Sequence, residues 1–362
     1  HLLLSGNHAA RDLLRTIGSE DEFQGPGRAE FQSADLASEE RWTININDGR
    51  IPWWVFDRSR RVPGTKLSDY PAMAAPLWAA DGKTIGEVLP CEGPLYERLV
   101  HPLLLAALNI EPEEGSAKLA GAIIRETLAA GGRACHPLVA RDGLSAAFID
   151  PAIAYLKARG GEVRIGDELR AMTMEDGRVS ALEFGSGSRP LPKDDVIVLA
   201  VPPHIARMLV PGLQTPTTYR AIVNAHYRIE VPHSVPRILG LVNATADWIF
   251  AFEDRITVTV SAADHLVKEQ RETLARNLWA EVAAATGLGE DLPPWQIVRE
   301  RRATFAATPA ENAKRPPTRT AWTNLALAGD WTDTGLPGTM EGAVRSGYSA
   351  AHWVTQMRAM SP

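Results

Sequence analysis

The chain has 362 residues, with 38 Lys and Arg against 44 Asp and Glu, a formal net charge of −6. A hydrophobic share of 45% and a charged share of 23% are those of a globular protein and exclude disorder and collagen-like repeats. The acidic balance argues against a generic nucleic-acid binder, and no apolar run of about 18 residues suggests a transmembrane helix.

Length predicts about two domains. Cys91 and Cys135, the two cysteines, cannot build a disulfide framework or a multi-cysteine zinc site. They read as reduced thiols of a cytoplasmic protein. His226 and His233 are not at metal-ligand spacing, so no metal is expected.

In chain order, Ala9, Leu13, Leu14 and Ile17 repeat at helical spacing over 8–17. Residues 31–62 are β-rich. Asn47-Asp48-Gly49 between 42–46 and 51–56 predicts a hairpin, with Pro52 placing the second strand at an edge. Residues 67–128 read as helical pieces, the last capped by Ser116 and ending near Gly131-Gly132. Asp150 and Pro151 open another helix that closes at Gly160-Gly161. Strands follow at 162–165, 169–174 and 179–184, the last two joined by Glu175-Asp176-Gly177. The apolar run 195–201 suits a strand covered on both faces, as in a parallel sheet. A helix begins at His204. Residues 219–261 are strand-like, 262–286 a long helix, 295–305 a strand and 308–320 a Pro- and Arg-rich surface loop. A strand at 324–328 and a helix at 338–357 end the chain. This order fits an α/β nucleotide-binding domain and a second, α+β domain, each assembled from separate pieces.

Residues 325–343 carry the most chemistry. An apolar strand ends in Gly329-Asp330, a Gly/Thr-rich loop follows, and a helix starts near Thr339. Ligands of open α/β sheets bind at that end of the strands. Gly329 removes a side chain where a ligand approaches, and Asp330 is an acceptor for sugar or ribityl hydroxyls. The N–H groups near 339–342 favour an anion or a carbonyl oxygen. Taken alone, Gly329-Asp330 is also an ordinary turn.

This segment resembles the flavin-dependent amine oxidase and phytoene desaturase superfamily. Blocks 49–56, 61–65, 103–109, 198–203, 221–226, 302–306 and 334–337 resemble the hydroxysqualene dehydroxylases within it, the squalene-associated FAD-dependent desaturases of hopanoid biosynthesis. The resemblance implies FAD as cofactor. It implies a Rossmann-like FAD-binding domain at 1–30, 131–215 and 320–362, interleaved with a substrate domain of the amine-oxidase type at 31–130 and 216–319. It places Gly329, Asp330 and Trp331 by the ribityl and phosphate region. Gly338, Thr339, Met340 and Glu341 fall at the N1/O2 edge of the isoalloxazine, Leu169 by the adenine, and Pro202 at a strand end near the cofactor.

Such proteins open with a βαβ unit carrying G-x-G-x-x-G. None opens this sequence, so the expectation is a chain lacking that N-terminal unit, with the flavin-ring side retained. The implied reaction is reductive dehydroxylation of hydroxysqualene to squalene. Carotenoid-type desaturation, amine oxidation, and a non-catalytic fragment or lipid-binding partner are the alternatives. Trp53, Trp54, Leu336 and Pro337 are candidates for an apolar substrate tunnel, although strand alternation puts Trp53 and Trp54 on opposite faces. His1, Asp57 and Asp333 are candidates for the acid. An apolar triterpenoid substrate implies peripheral contact with the inner membrane face, with 99–110 as the dipping segment, and association with other squalene-synthesis enzymes.

Overall fold

The fold is taken from a computed structural model, which describes residues 1–360. Its largest element is a seven-stranded sheet of order β14-β10-β13-β12-β11-β3-β4. The strands are β3 (Glu30–Asp35), β4 (Arg41–Asn45), β10 (Tyr219–Arg228), β11 (Ile238–Val242), β12 (Trp248–Ala251), β13 (Arg255–Val260) and β14 (Trp295–Phe305). Neighbours are antiparallel except β11 and β3, which run parallel with Leu239 opposite Gln32.

Strand alternation sorts the two faces of this sheet. Val223, Ala225 and Tyr227 of β10 and Ile256, Val258 and Val260 of β13 are buried with α6 (Arg271–Thr286) in one core. The Tyr227 hydroxyl donates to the Ala275 carbonyl at 2.7 Å, and its ring lies 4.9 Å from that of Trp279. The opposite face carries a polar strip. Thr259 Oγ1 donates to Asn224 Oδ1 at 2.9 Å, and His226 Nδ1 lies 3.0 Å from Thr257 Oγ1.

Three small sheets complete the fold. β9 (Ile197–Leu199) and β15 (Leu325–Leu327) pair in parallel, as the apolar run 195–201 implies. Ala326 packs with Ala350 and Trp353 of α8 (Met340–Met360), and Leu325 and Leu327 face the largest core. β1 (Leu2–Leu4), β5 (Pro137–Ala140) and β2 (Phe23–Gln24) form a second sheet, on which α1 (His8–Ile17) packs through Ala10 and Leu14. β6 (Leu169–Glu175), β7 (Arg178–Phe184) and β8 (Gly187–Pro190) form an antiparallel meander. Its first turn uses Asp176 and Gly177, both at positive φ, the geometry of a tight hairpin.

Five local expectations change. Residues 51–56 form a 3₁₀ helix (Trp53–Phe56), not a hairpin strand. The Asn47 side chain gathers this turn, donating to the Gly49 and Ile51 carbonyls and accepting from Trp54 N. β4 pairs with β3 instead. Residues 162–165 form no strand, and Ile165 is exposed. The helix expected from 262 breaks at Ala262, whose φ is +46°, and whose N–H donates to Asn109 Oδ1 at 2.7 Å. α6 begins only at Arg271.

The stretch 308–320 is not simply surface. Thr308 caps the short α7 (Pro309–Asn312), and Glu311 and Arg315 are buried. Glu311 accepts from Thr217 N, Thr218 Oγ1 and Lys314 Nζ. Residues 99–110 do not present an apolar surface either. Val100, Leu104, Leu105, Leu108 and Ile110 are buried, because α2 (His101–Leu108) is wrapped by other helical pieces. Cys91 and Cys135 are both free thiols, and burial pushes Cys135 up to about 12.

Asp247, in the β11–β12 turn, accepts from Ser261 N at 2.5 Å, and burial pushes its carboxyl up to about 6. The folded state therefore holds this proton more tightly than the unfolded chain. Its contribution is fully present below the unfolded pKa near 4 and is lost as pH rises through about 6. Asp247→Asn keeps an acceptor for Ser261 N without the charge. Urea unfolding at pH 5 and pH 7 should show the variant gaining on the wild type by about 1 kcal/mol at the higher pH. An unchanged pH difference would refute this role.

Candidate functional site: the loop between β15 and α8

β15 ends where the backbone turns sharply. Gly329 has φ +142°, and a Cβ there would lie 2.4 Å from Trp331 Nε1, so no other residue fits beneath that indole. Trp331 is buried and donates from Nε1 to the Val201 carbonyl at 2.9 Å. This bond draws the end of β15 to the end of β9, beside Pro202 and the start of α5 (Pro203–Leu209). Leu169, the first residue of β6, packs half-buried against the same core as Trp331. The structure thus gathers Gly329, Asp330, Trp331 and Pro202 at the carboxyl ends of two parallel strands.

The loop is held from inside by Arg315. Its guanidinium donates to the carbonyls of Asp330 and Thr332, to Thr334 Oγ1 and to Asn312 Oδ1, and its Cζ lies 4.8 Å from the centre of the Phe305 ring. Burial lowers its pKa to about 10, so it remains a cation at neutral pH. Burial raises the Asp330 carboxyl above the usual range, and the Arg315 charge opposes that rise. Gly338 closes the loop: a Cβ there would lie 3.0 Å from Thr304 Cβ and 3.1 Å from Asp330 Oδ2.

α8 then begins. Gly342 N donates to Thr339 Oγ1 at 3.1 Å, and Ala343 N to the Thr339 carbonyl at 2.9 Å. The N–H groups of Met340 and Glu341 precede the first intrahelical bonds and carry the positive end of a 21-residue helix. The Glu341 side chain points elsewhere. Its carboxylate accepts from Ala9 N at 3.1 Å and Ala10 N at 2.9 Å, capping α1, and from Arg345 Nε at 2.8 Å. Arg345 in turn makes a two-pronged bond to Glu126 of α3 (Ala117–Glu126), at 2.7 and 2.8 Å. Ser346 Oγ reaches back to accept from Gly329 N at 2.7 Å.

The four tunnel candidates do not converge on a channel. Leu336 and Pro337 are buried beneath the loop, Trp54 stacks edge-on against Tyr70 in the core, and Trp53 lies at the surface. A 3₁₀ turn separates the two tryptophans where alternation had placed them across a strand. Two clefts lie beside the β1-β5-β2 sheet instead. One of about 500 Å³ is lined by Ser5, Arg11, Phe23 and His136, the other of about 630 Å³ by Val139, Val231, Val235 and Ile238. Of the acid candidates, Asp57 and Asp333 are exposed, and the bonds from Ser59 hold the Asp57 carboxyl below its ordinary value, which makes it a poor proton donor. His1 is also exposed. No group of His, Cys, Asp and Glu that could hold a metal occurs among the described residues.

Arg315, Arg345, Ser346 and Glu126 are the contributors that sequence reasoning missed. Arg315 sits among Lys314, Pro316 and Pro317, where nothing distinguishes it from a solvated charge. Arg345 is legible only as a cation one turn after Glu341. Arg315→Met removes the donor and leaves the Asp330 and Thr332 carbonyls unpaired. It should cost about 3 kcal/mol in urea unfolding and open residues 330–337 to protease. Arg315→Lys should restore only part of this, because an ammonium cannot span the same acceptors. Full rescue by Lys would refute the fork geometry.

Comparisons with known proteins agree with this geometry. Residues 2–355 match the family of flavin-containing amine oxidoreductases. The hydroxysqualene dehydroxylase of Rhodopseudomonas palustris is 56% identical over 355 residues, spanning 98% of this chain and 85% of that protein. The one from Sinorhizobium fredii is 51% identical, spanning 97% and 84%. Among solved structures, an oxidoreductase from Methanosarcina mazei superposes with a TM-score of 0.70 at 12% identity, over 97% of this chain and 87% of that one. Cyclohexylamine oxidase from Brevibacterium oxydans gives 0.69 at 13%, over 99% and 87%. The chain belongs to the flavin-containing amine oxidoreductases and, within them, to the hydroxysqualene dehydroxylase family.

Proposed function

We propose that this protein is an FAD-dependent oxidoreductase that reductively removes the hydroxyl of hydroxysqualene to give squalene. The observation that carries the reading is the similarity over nearly the whole chain to relatives named for that activity. The same similarity disfavours carotenoid desaturation, amine oxidation and a silent fragment.

The residues present fit the ring and ribityl side of a flavin. The start of α8 at Thr339–Glu341 offers backbone N–H groups to the partly negative N1/O2 edge, with Gly338 beside it. Asp330, at the Gly329 turn under Trp331, would accept from ribityl hydroxyls. Pro202 and Leu169 would lie toward the cofactor's adenine end. Reduced FAD, when bound, supplies hydride to carbon.

The chain's own part is orientation and exclusion of water. Departure of an allylic hydroxyl leaves a delocalised substrate cation, which lasts only in a dry, apolar setting. We assign the cofactor to residues 1–30, 131–215 and 320–362, and the substrate to 31–130 and 216–319. The separation of the β15–β9 and β1-β5-β2 sheets from the seven-stranded sheet supports this division. A triterpenoid this apolar resides in a bilayer, which favours work at the cytoplasmic membrane face, beside other squalene-synthesis enzymes. No helix among the described residues is long and apolar enough to cross a membrane.

The flavin-loaded protein, incubated without air with a reductant and hydroxysqualene in detergent, should release squalene at one per two electrons consumed. Full flavin loading with no squalene would overturn the reaction.

A further inference from the structure

The turn that replaced the expected second hairpin strand has an unusual surface. In the 3₁₀ helix Trp53–Phe56, Trp54 and Val55 enter the main core while Trp53 and Phe56 stand outside, 62% and 61% exposed, with Ile51 beside them at 58%. The two exposed rings lie 5.9 Å apart, tilted by 46°. Apolar side chains this large and adjacent are normally covered.

The platform is stiff. The Asn47 side chain ties Gly49, Ile51 and Trp54 together, Arg60 Nε donates to the Asn45 carbonyl at 3.0 Å, and the Tyr70 hydroxyl accepts from Val62 N at 3.1 Å. The rings are therefore held outward rather than free to fold back onto the protein.

Charge identifies what they meet. In a chain of net charge −6, residues 49–67 hold Arg50, Arg58, Arg60, Arg61 and Lys66 against a single acid, Asp57. Arg50, Arg58 and Lys66 are exposed. The Asp57 carboxylate is occupied by Ser59. Of the flanking acids, Asp48 lies 4.0 Å from Arg133 Nε, and Asp69 accepts from Lys66 N at 2.8 Å. Amphipathic tryptophan beside aliphatic and aromatic side chains, with exposed cations close by in the chain, suits the headgroup layer of an anionic bilayer.

We propose that Ile51, Trp53 and Phe56, with Arg50, Arg58 and Lys66 around them, form the surface by which this protein docks on anionic lipid. The proposal rests on the membrane-face reading above and names where contact is made. Trp54 and Val55 share one core with Trp331, so docking fixes the orientation of the site loop relative to the bilayer.

The test is flotation of the flavin-loaded protein with vesicles of phosphatidylcholine alone or with about 30% phosphatidylglycerol. Binding should need the anionic lipid and weaken as salt is raised. Trp53→Ser with Phe56→Ser, and separately Arg50→Glu with Arg58→Glu, should each reduce the bound fraction roughly tenfold. All four side chains are exposed, and circular dichroism checks that both variants fold. Turnover of detergent-dispersed hydroxysqualene should be unchanged in both. Equal flotation of variants and wild type, or no flotation with either vesicle, overturns the lipid assignment, including the case where the patch serves a protein. Detergent turnover in the same preparations separates that failure from failure of the reaction itself.

Discussion

A cation buried beneath a loop sets the form of the candidate site. Taking a guanidinium out of water is costly unless its donors are met. Arg315 meets that demand at Nη1 and Nη2, which collect main-chain carbonyls and side-chain oxygens around the segment that joins β15 to α8, while its Nε is buried without a partner. Because a fork of fixed geometry must be satisfied, the loop has little freedom. Asp330, desolvated on the same turn, is held close to a compensating positive charge. At Gly329 backbone and indole come too close for any side chain, and at Gly338 a side chain would press on Thr304 and Asp330.

A second constraint ties helices together. Glu341 belongs to α8 but caps α1, and Arg345 carries the connection on to Glu126 of α3. Three helices that begin far apart in sequence therefore share one ionic chain. Partial burial strengthens its electrostatics relative to a surface pair. The start of α8 is thus positioned twice, by Arg315 from the loop side and by α1 from the helix side. Such double support is what precise placement of backbone N–H donors requires.

How much could be read beforehand depended on how local the cause was. β14, α1, α5 and the β6–β7 hairpin follow from periodicity and turn residues, and they stand where those signals put them. The parallel pairing of β9 with β15 followed from an unbroken apolar run. The Gly329–Gly342 segment was legible because its glycines, aspartate and helix start lie together in sequence. What escaped was tertiary. Asn47 coils 51–56 through side-chain bonds that no propensity encodes. Asn109 breaks the helix expected at 262 from 153 residues away. Arg315 looks like any other surface arginine until Phe305 and the loop close over it. The apolar stretch 99–110 carries no signal of its own that separates a membrane-facing helix from a buried one, and only its neighbours decide.

The parallel contact of β3 with β11 also governs how the chain is made. β3 and β4 can pair with each other early, but the far edge of β3 waits for Leu239, about 200 residues later. During synthesis that edge stays open while Phe31 and Trp42 lack their core, a state prone to stray strand pairing. The arrangement is a sheet closed late by its own middle, so shortening or slowing translation between β4 and β11 bears on yield rather than on chemistry.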